Sequence, residues 1–290
     1  MEYHQDRFED HSLMVFNGDM LQAVMPANIH DGVVHSHQGL SYGGIVLSKT
    51  IQFHKVLEAY KAILKFLHDA GIETLFLKQI PAFYHQLPSD ELDYLIHQTE
   101  GRMVRCDLAA VVKKENQLPI TSSNRLRGLK RAQKNGLLVK EVPDFHDFWL
   151  NILEPNLALR HKAKPTHTVE EIELLKSRFP NNIRQFNVYH NESIVAGATV
   201  FETNETVHVQ YISANEDRQT LGSLDLLFHK LMKSFGNKTY FDFGISNEEH
   251  GTKVNDGLLR WKEDFGARAF VHRFYEVPTK NYVHLESILL

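Results

Sequence analysis

The sequence predicts an α/β protein of two lobes, each with a mixed, mostly antiparallel sheet flanked by helices. Three observations support this class: strand patterns occur at both ends of the chain, an amphipathic helix follows each of them, and the order of elements repeats. Residues 13–113 and 184–276 both contain a strand meander, a long helix, a short strand, another helix and a longer strand. No sequence period accompanies this order, so the likeness is topological. A single large mixed sheet is the alternative.

The N-terminal half begins with strands. The apolar run at residues 13–16 ends at Asn17-Gly18-Asp19, a strong hairpin turn signal. Apolar residues at three-and-four spacing predict a helix over 53–70, which ends at Gly71. A buried strand at 74–77, a helix at 89–99 with Ser89 as its N-cap, and a long strand at 103–113 complete this half.

The middle of the chain is helical. Ser122 or Ser123 caps a basic helix that ends before Gly136, and further helices are predicted over 145–159 and 168–179. Thr168 and Glu171 have the spacing of a capping box. We therefore expect an N-terminal lobe at 1–120, a helical connecting segment at 121–181 and a C-terminal lobe at 182–290.

The C-terminal half returns to strands and then alternates. Strands are predicted over 184–189, 194–202, 207–213, 239–243 and 268–276, with helices over 221–235 and 256–265. The polar loop before the first of these helices contains Arg218, Gln219, Gly222 and Ser223. Because the first N–H groups of a helix have no internal partners, this loop is a candidate site for a diphosphate. An ordinary turn with a glycine and a capping serine is the alternative.

Composition limits the class of protein. Hydrophobic residues make up 42% and charged residues 23%, which is ordinary for a globular chain. A net charge of −4 argues against a protein whose whole surface binds DNA, although it leaves room for a local basic patch. Cys106 is the only cysteine, so no internal disulfide forms. The first residues lack the basic start and apolar run of a signal peptide, so we expect a cytoplasmic protein without a membrane span.

Two segments resemble known acyltransferases. The first, LDLLFHKLMKSFGNKTYFDFGIS, is an apolar helix that runs into an aromatic-Asp-aromatic-Gly strand end, and the second is the basic segment SSNRLRGLKRAQKNGLLVKEV. Both are similar to segments of the GCN5-related (GNAT) acyltransferases and the FemAB-like peptidyltransferases, and the resemblance covers roughly residues 120–277. It implies GNAT-like lobes and transfer of an acetyl or aminoacyl group to an amine acceptor, such as a cell-envelope or surface-glycan precursor.

The resemblance also implies a donor. Acetyl-CoA or another acyl-CoA is the expected cofactor, with aminoacyl-tRNA as the other possible donor. Gln219 and Gly222 match two anchors of the acyl-CoA loop, whereas Leu224 occupies the place of a small third residue. Leu224 narrows the space for a diphosphate, which favours the alternative of a non-catalytic binding module that retains the fold.

Several further residues are candidates for the site. Asp242, between aromatic residues, is predicted to orient the amine, with a strand-end cap as the alternative. The cations Arg127, Lys130, Arg131 and Lys134 fall on one helix face, where they either bind a substrate phosphate or are simply solvated. Substrate contacts are also considered for Tyr42, Gly43 and Lys262, although a hairpin turn and a solvent-facing lysine are the alternatives.

Metal binding is not predicted, because His35 and His37, which alternate on one strand face with His30 close by, lack a third ligand at convincing spacing. The oligomeric state is left open.

Overall fold

A computed structural model describes the backbone of residues 2–290, with all of their side chains except Glu2, Arg160 and His161. The chain forms two compact units. Unit 1 comprises Met1–Leu108, Asn247–Lys253 and Phe270–Leu290, and unit 2 comprises Ala109–Ser246 and Val254–Ala269.

The elements are numbered in chain order. The strands are β1 Glu9–Asp10, β2 Leu13–Asn17, β3 Met20–Met25, β4 Asn28–His30, β5 Val33–His35, β6 Val46–Leu47, β7 Thr74–Lys78, β8 Arg102–Lys113, β9 Leu138–Val142, β10 Ile183–His190, β11 Ser193–Glu202, β12 Thr206–Ala214, β13 Tyr240–Ile245, β14 Asn247–Glu248, β15 Lys253–Val254 and β16 Arg268–Pro278. The helices are α1 Phe53–Asp69, α2 Glu91–Gln98, α3 Ser123–Lys134, α4 His146–Phe148, α5 Glu154–His161, α6 Val169–Arg178, α7 Arg218–Leu221, α8 Ser223–Ser234 and α9 Asp256–Glu263.

Shorter turns complete the chain. A π-helical turn, Trp149–Leu153, joins α4 to α5, and 3-10 turns occur at Glu2–His4, Ala82–Tyr84, Lys114–Asn116, Glu249–Gly251 and Thr279–Ser287. Among the described residues, none of the helices combines the length and the apolar composition that a bilayer crossing requires.

Unit 1 is built on a mixed sheet. Its strands pair in the order β1-β4-β5-β7-β16, and only β5 and β7 among these pairs run parallel. The crossover between β5 and β7 contains α1, whose apolar face is buried from Val56 to Leu67. A second sheet of β2, β3 and β6 packs its inward residues onto the same core. Burial of this continuous apolar surface is the main stabilising contribution.

Unit 2 is also built on a mixed sheet with one parallel pair of strands and a helix in the crossover between them. Its strands pair in the order β8-β13-β12-β11-β10-β9, and again a single neighbouring pair, β12 and β13, is parallel. Helix α8 lies in the crossover between these two strands. Its buried residues Leu227, Phe228 and Leu231 join the core with Phe241 and Phe265. The predicted α/β class, with mostly antiparallel sheets flanked by helices, is confirmed.

The units have other bounds than the predicted lobes. The end of β8, residues 109–113, pairs with β13 in unit 2, and residues 274–278 of β16 pair with β7 in unit 1. The predicted connecting segment 121–181 lies wholly within unit 2. Pairings between strands so far apart in the chain leave no local sequence signal, so the boundaries at 120 and 181 do not coincide with those of the compact units.

Helix caps show how far local signals extend. The Thr168 hydroxyl accepts from Glu171 N at 3.2 Å and the Glu171 carboxylate accepts from Thr168 N at 2.9 Å, so the capping box is confirmed. Ser89 does not cap α2, because the helix begins two residues later with Asp90 at the N-cap. Ser122 is the N-cap of α3, but its hydroxyl donates to Asp264 at 2.9 Å instead of capping the helix.

Candidate functional site

Two parallel strands of unit 2 part from each other. The register of β12 with β13 runs from Thr206 and Tyr240 to His208 and Asp242, where it ends in the part of the chain that the structure describes. The pairing of β13 with β8 shifts after Asp242, and Gly244 has a φ of +77° there. We call the gap between residues 209–214 and 243–245 the β12–β13 fork. His208 and Asp242 lie at its closed end.

His208 and Asp242 form a hydrogen-bonded pair. The distance from His208 Nδ1 to Asp242 Oδ2 is 2.6 Å, and Asp242 Oδ1 accepts from Gly244 N at 2.7 Å. Asp242 is fully buried, whereas the His208 side chain keeps 18% of its surface exposed. Because a carboxylate accepts, the pairing assigns the hydrogen to Nδ1 and leaves Nε2 as the basic nitrogen. The arrangement can take a proton from a bound group.

The bulge at Gly244 lies beside this pair. His208 Cε1 lies 3.5 Å from the position that a Cβ would occupy at Gly244. Lys262 of α9 donates to the carbonyls of Gly244, at 2.9 Å, and Ile245, at 2.7 Å. Lys262 thus fixes the main chain where β13 leaves β12.

Lys262 is not a solvent-facing residue. It is only 4% exposed, and this burial lowers the pKa of its ammonium to about 8, with Asp242 acting in the opposite direction. From the sequence, a solvent-facing lysine is the alternative to a substrate contact. With two hydrogens given to the main chain, Lys262 supports the bulge, and its contact with a substrate stays a prediction.

The start of α8 is covered by α3. Gly222, at a φ of +73°, joins α7 to α8, and a Cβ at this position would lie 2.1 Å from the carbonyl oxygen of Gly128. Ser223 is fully buried, and Arg125 pairs with Asp225 in the first turn of α8 at 2.6 Å. Main chain of α3 therefore lies directly against Gly222, and donor binding at Gly222 and Ser223 stays a prediction.

The remaining residues of the predicted donor loop are more accessible. Gln219 is exposed and Arg218 is half-buried, both on the four-residue helix α7. Their role in donor binding stays a prediction.

The cations of α3 divide into two groups. Arg127, Lys130, Arg131 and Lys134 are exposed, as the spacing predicts, and are here called the basic stripe. Arg125 instead faces inward, with 18% of its side chain exposed, between Asp225 and Asp264. Burial raises the pKa of Asp225, and Arg125 opposes this shift. Arg125 therefore anchors α3 on α8, while the stripe faces solvent.

Tyr42 and Gly43 belong to unit 1. A Cβ at Gly43 would lie 1.8 Å from the carbonyl oxygen of Ser36, and Gly43 N donates to Lys78 O at 3.1 Å. Tyr42 stacks on Tyr84 with ring centroids 4.3 Å apart. Gly43 therefore permits a close approach of two main-chain segments, and substrate contact at Tyr42 stays a prediction.

One surface cluster in unit 2 has the composition of a metal site. Ligand atoms of Asp144, His146 and Glu173 lie within 4.8 Å of one another. The two carboxylates each lie 3.1 Å from His146 and raise the pKa of the imidazole, so the cluster is an ion-paired surface group.

Sequence reasoning missed His208. The signal was present, because a strand–helix–strand order predicts a parallel crossover that places two strands side by side. The register of β12 with β13, which places His208 opposite Asp242, could not be predicted from the sequence.

A family model and several solved structures are similar to this chain. Residues 124–252 match the acetyltransferase (GNAT) domain model. The match covers less than half of the chain, and all but its last six residues lie in unit 2. Among curated proteins, no sequence matches significantly. FemX is 11% identical with a TM-score of 0.63, and the match covers 98% of this chain and 92% of FemX.

Two further structures are similar. The C-terminal domain of a protein assigned as a lysylphosphatidylglycerol synthetase from Agrobacterium fabrum has 16% identity and a TM-score of 0.63, covering 93% of this chain and 83% of that one. A tandem GNAT protein from the clavulanic acid biosynthesis pathway has 8% identity and a TM-score of 0.52, covering 96% and 86%. At these identities the structures show a shared fold. The predicted resemblance to GNAT and FemAB-like proteins is confirmed.

Proposed function

We propose that this protein transfers an acyl or aminoacyl group to an amine acceptor at the β12–β13 fork. The observation that carries the proposal is the His208–Asp242 pair at the closed end of the fork, 2.6 Å apart and beside the bulge at Gly244. The GNAT domain match supports acyl transfer in general. The donor, the acceptor and the residue roles below are parts of the proposal.

The fork is suited to hold an extended donor. Where β12 and β13 part, their facing main-chain groups no longer pair with each other, and such groups bind an extended ligand as an added strand would. Asp242 and Lys262 both hydrogen-bond the main chain at Gly244 and so hold β13 in this arrangement. A donor held there has its acyl carbon fixed beside His208, and fixed geometry supplies much of the rate of such a reaction.

The chemical step needs one base. The acceptor nitrogen attacks the acyl carbon, a C–N bond forms, and the bond from carbon to the leaving sulfur or oxygen breaks. His208 Nε2 takes the proton from the attacking amine and returns it to the leaving group. The buried carboxylate of Asp242 holds the Nδ1 hydrogen and stabilises the imidazolium that forms. Asp242 is thus a positioning residue for His208, a different role from the predicted one of orienting the amine itself.

A phosphate-bearing substrate fits the basic stripe. The stripe is exposed and lies on α3, which packs directly on the start of α8. Exposed arginines and lysines at this spacing attract phosphate groups. We propose a cell-envelope or surface-glycan precursor as acceptor; the fold relatives include FemX and a lysylphosphatidylglycerol synthetase domain.

A non-catalytic binding module is the second candidate. The contact of Gly128 with Gly222 favours it, because main chain of α3 lies against the start of α8 and restricts the space for the diphosphate of an acyl-CoA there. Such a module would bind the phosphate-bearing molecule and transfer nothing.

Two donor assays separate these functions. Purified protein is mixed with a panel of primary amines and either acetyl-CoA, with release of free thiol recorded, or lysyl-tRNA, with loss of the ester-linked amino acid recorded. Amine-dependent release from one donor supports transfer. If neither donor reacts while tRNA or a nucleotide-linked amino sugar binds at the stripe, the binding module is the correct function.

A further inference from the structure

Three metal-ligating side chains of unit 2 converge at the surface and share no residue with the β12–β13 fork. They are Asp144, His146 and Glu173, here called the histidine–carboxylate cluster. Each offers one ligand atom, and these atoms lie within 4.8 Å of one another. The distances from His146 Nδ1 to Asp144 Oδ1 and to Glu173 Oε1 are both 3.1 Å. One imidazole nitrogen with two carboxylate oxygens is a donor set that divalent transition metals use in proteins.

Buried neighbours hold the three ligands in place. Phe145, between Asp144 and His146 in the chain, and Ile172, next to Glu173, belong to the same buried apolar cluster of unit 2. Asp144 Oδ1 also accepts from His146 N at 2.7 Å, which fixes these two side chains relative to each other. The ligands are therefore attached to one packed core, which lowers the entropic cost of assembling a metal site.

A single hydrogen on His146 does not satisfy both carboxylates. Because a carboxylate accepts, Nδ1 donates to Asp144, and Glu173 makes only an ion-pair contact at the same distance within the described residues. Glu170, one turn before Glu173 on α6, adds to the negative potential at the imidazole. A divalent cation in place of the hydrogen would contact all three ligand atoms and neutralise both carboxylates.

The spacing of the ligand atoms fits such a cation. Ligand atoms about 2.1 Å from a metal lie about 3.0 to 3.4 Å apart when the angle at the metal is octahedral or tetrahedral. Both distances from His146 Nδ1, at 3.1 Å, fall in this range. A metal can therefore enter without a rearrangement of the helices that carry the ligands.

We propose that the histidine–carboxylate cluster binds one divalent transition-metal ion of the zinc class, with water in the remaining coordination positions. Zn²⁺ accepts both imidazole nitrogen and carboxylate oxygen, whereas Ca²⁺ takes six to eight oxygen ligands and gains little from a single imidazole. Without a metal the same groups form ion pairs. A bound ion would join the start of α4 to α6. The inference does not depend on transfer at the fork.

Calorimetric titration of the untagged full chain with Zn²⁺ and with Ca²⁺, after removal of metals by a chelator, tests this site. We expect Zn²⁺ to bind at least tenfold more tightly than Ca²⁺. His146→Ala should weaken the tightest Zn²⁺ binding at least tenfold, because the only nitrogen ligand is lost. His229→Ala, which removes an exposed histidine of α8 outside the cluster, is the matched control and should leave the affinity unchanged.

A second variant keeps the test independent of His146. Glu173→Gln should also weaken Zn²⁺ at least tenfold, whereas Glu216→Gln, at an exposed acid of unit 2 outside the cluster, should not. Saturating Zn²⁺ should raise the melting temperature of His229→Ala but not of His146→Ala, since the ion binds the assembled site. Circular dichroism establishes that each variant is folded. The proposal is overturned if Zn²⁺ does not bind, if Ca²⁺ binds as tightly, or if His146→Ala and His229→Ala have the same affinity for Zn²⁺.

Discussion

Gly128 of α3 and Gly222 at the start of α8 are in backbone contact, so close that a Cβ on Gly222 would lie 2.1 Å from Gly128 O. Gly128 is equally constrained, since its own Cβ would lie 1.7 Å from Asp225 Oδ2. A pair of glycines thus seats the basic helix on the predicted donor loop. A substitution such as Gly222→Glu would therefore disturb the packing of α3 on α8, so its effect on donor binding could not be separated from its effect on the fold.

The glycine contact predicts a large loss of stability in Gly222→Ala. The methyl group clashes with main chain that cannot rotate away, and the positive φ adds strain, so the free energy of unfolding should fall by at least about 3 kcal/mol. Gly136→Ala is the matched control, with a φ of +66° and open space around its Cβ. It should lose only about 1 kcal/mol. Equal losses in urea denaturation would show that α3 does not rest on Gly222.

The basic stripe should matter for binding and not for folding. Arg127→Glu with Arg131→Glu should change the melting temperature by only a few degrees, because exposed charges contribute little to stability. Binding of tRNA or of a nucleotide-linked amino sugar should weaken. For tRNA, the slope of log Kd against log salt concentration should decrease by about one for each cation–phosphate pair that the substitutions remove.

A charge-matched control accompanies the stripe variant. Lys65→Glu with Lys280→Glu reverses two exposed cations in unit 1 and should leave binding unchanged. If both double variants weaken binding equally, attraction by the net charge of the protein explains the effect and the stripe has no specific role.

Lys262→Met should damage the bulge. Two main-chain carbonyls lose their donor, so the free energy of unfolding should fall by about 2 kcal/mol, and the rate of any transfer at the fork should fall with it. Lys233→Met changes an exposed lysine of α8 and should stay within about 0.5 kcal/mol. An unchanged stability of Lys262→Met would contradict the supporting role of this residue.

His37 should make unit 1 sensitive to acid. The residue is fully buried, and burial, with His4 and Lys78 adding to the effect, lowers the pKa of its imidazole to about 4. Its unfolded pKa is near 6.5, so the unfolded chain binds more protons between these values and stability falls as pH is lowered from 6.5 to about 4. The loss is roughly 3 kcal/mol for the full shift.

Denaturation at a series of pH values measures this slope. His37→Gln should remove most of the pH dependence between 6.5 and 4, while His30→Gln, which changes an exposed histidine, should retain it. Identical slopes in both variants would assign the acid sensitivity to other groups.

Local signals predicted the elements well and the interactions between distant residues poorly. The helix that became α1, the turn at Asn17-Gly18-Asp19 and the capping box at Thr168 follow from periodicity, turn chemistry and capping. The division of strands between the two compact units does not follow from such signals. Residues 109–113 of β8 belong to unit 2 and residues 270–278 of β16 belong to unit 1, and pairing over such separations in the chain has no local pattern. Topology was predictable from element order, whereas membership of each unit was not.

The site shows the same division. Asp242 was identified because a carboxylate among aromatic residues needs a polar partner, but that partner, His208, depends on strand register. Gly222 and Ser223 have the composition of a diphosphate loop, and the close packing of α3 on Gly222 has no local sequence signal. The burial of Lys262 could not be predicted, because it arises from contact with the bulge of β13, which is distant in the chain.

The most direct test of acyl transfer at the fork is the initial rate of amine-dependent donor cleavage by His208→Ala, compared with the unchanged protein under the same conditions. We predict that kcat falls by about 10² to 10⁴ while the donor KM changes little, because the base acts only in the chemical step. Asp242→Asn should lower kcat, since the imidazole loses the carboxylate that holds its Nδ1 hydrogen during the step. A His208→Ala variant that retains the full kcat would contradict the account.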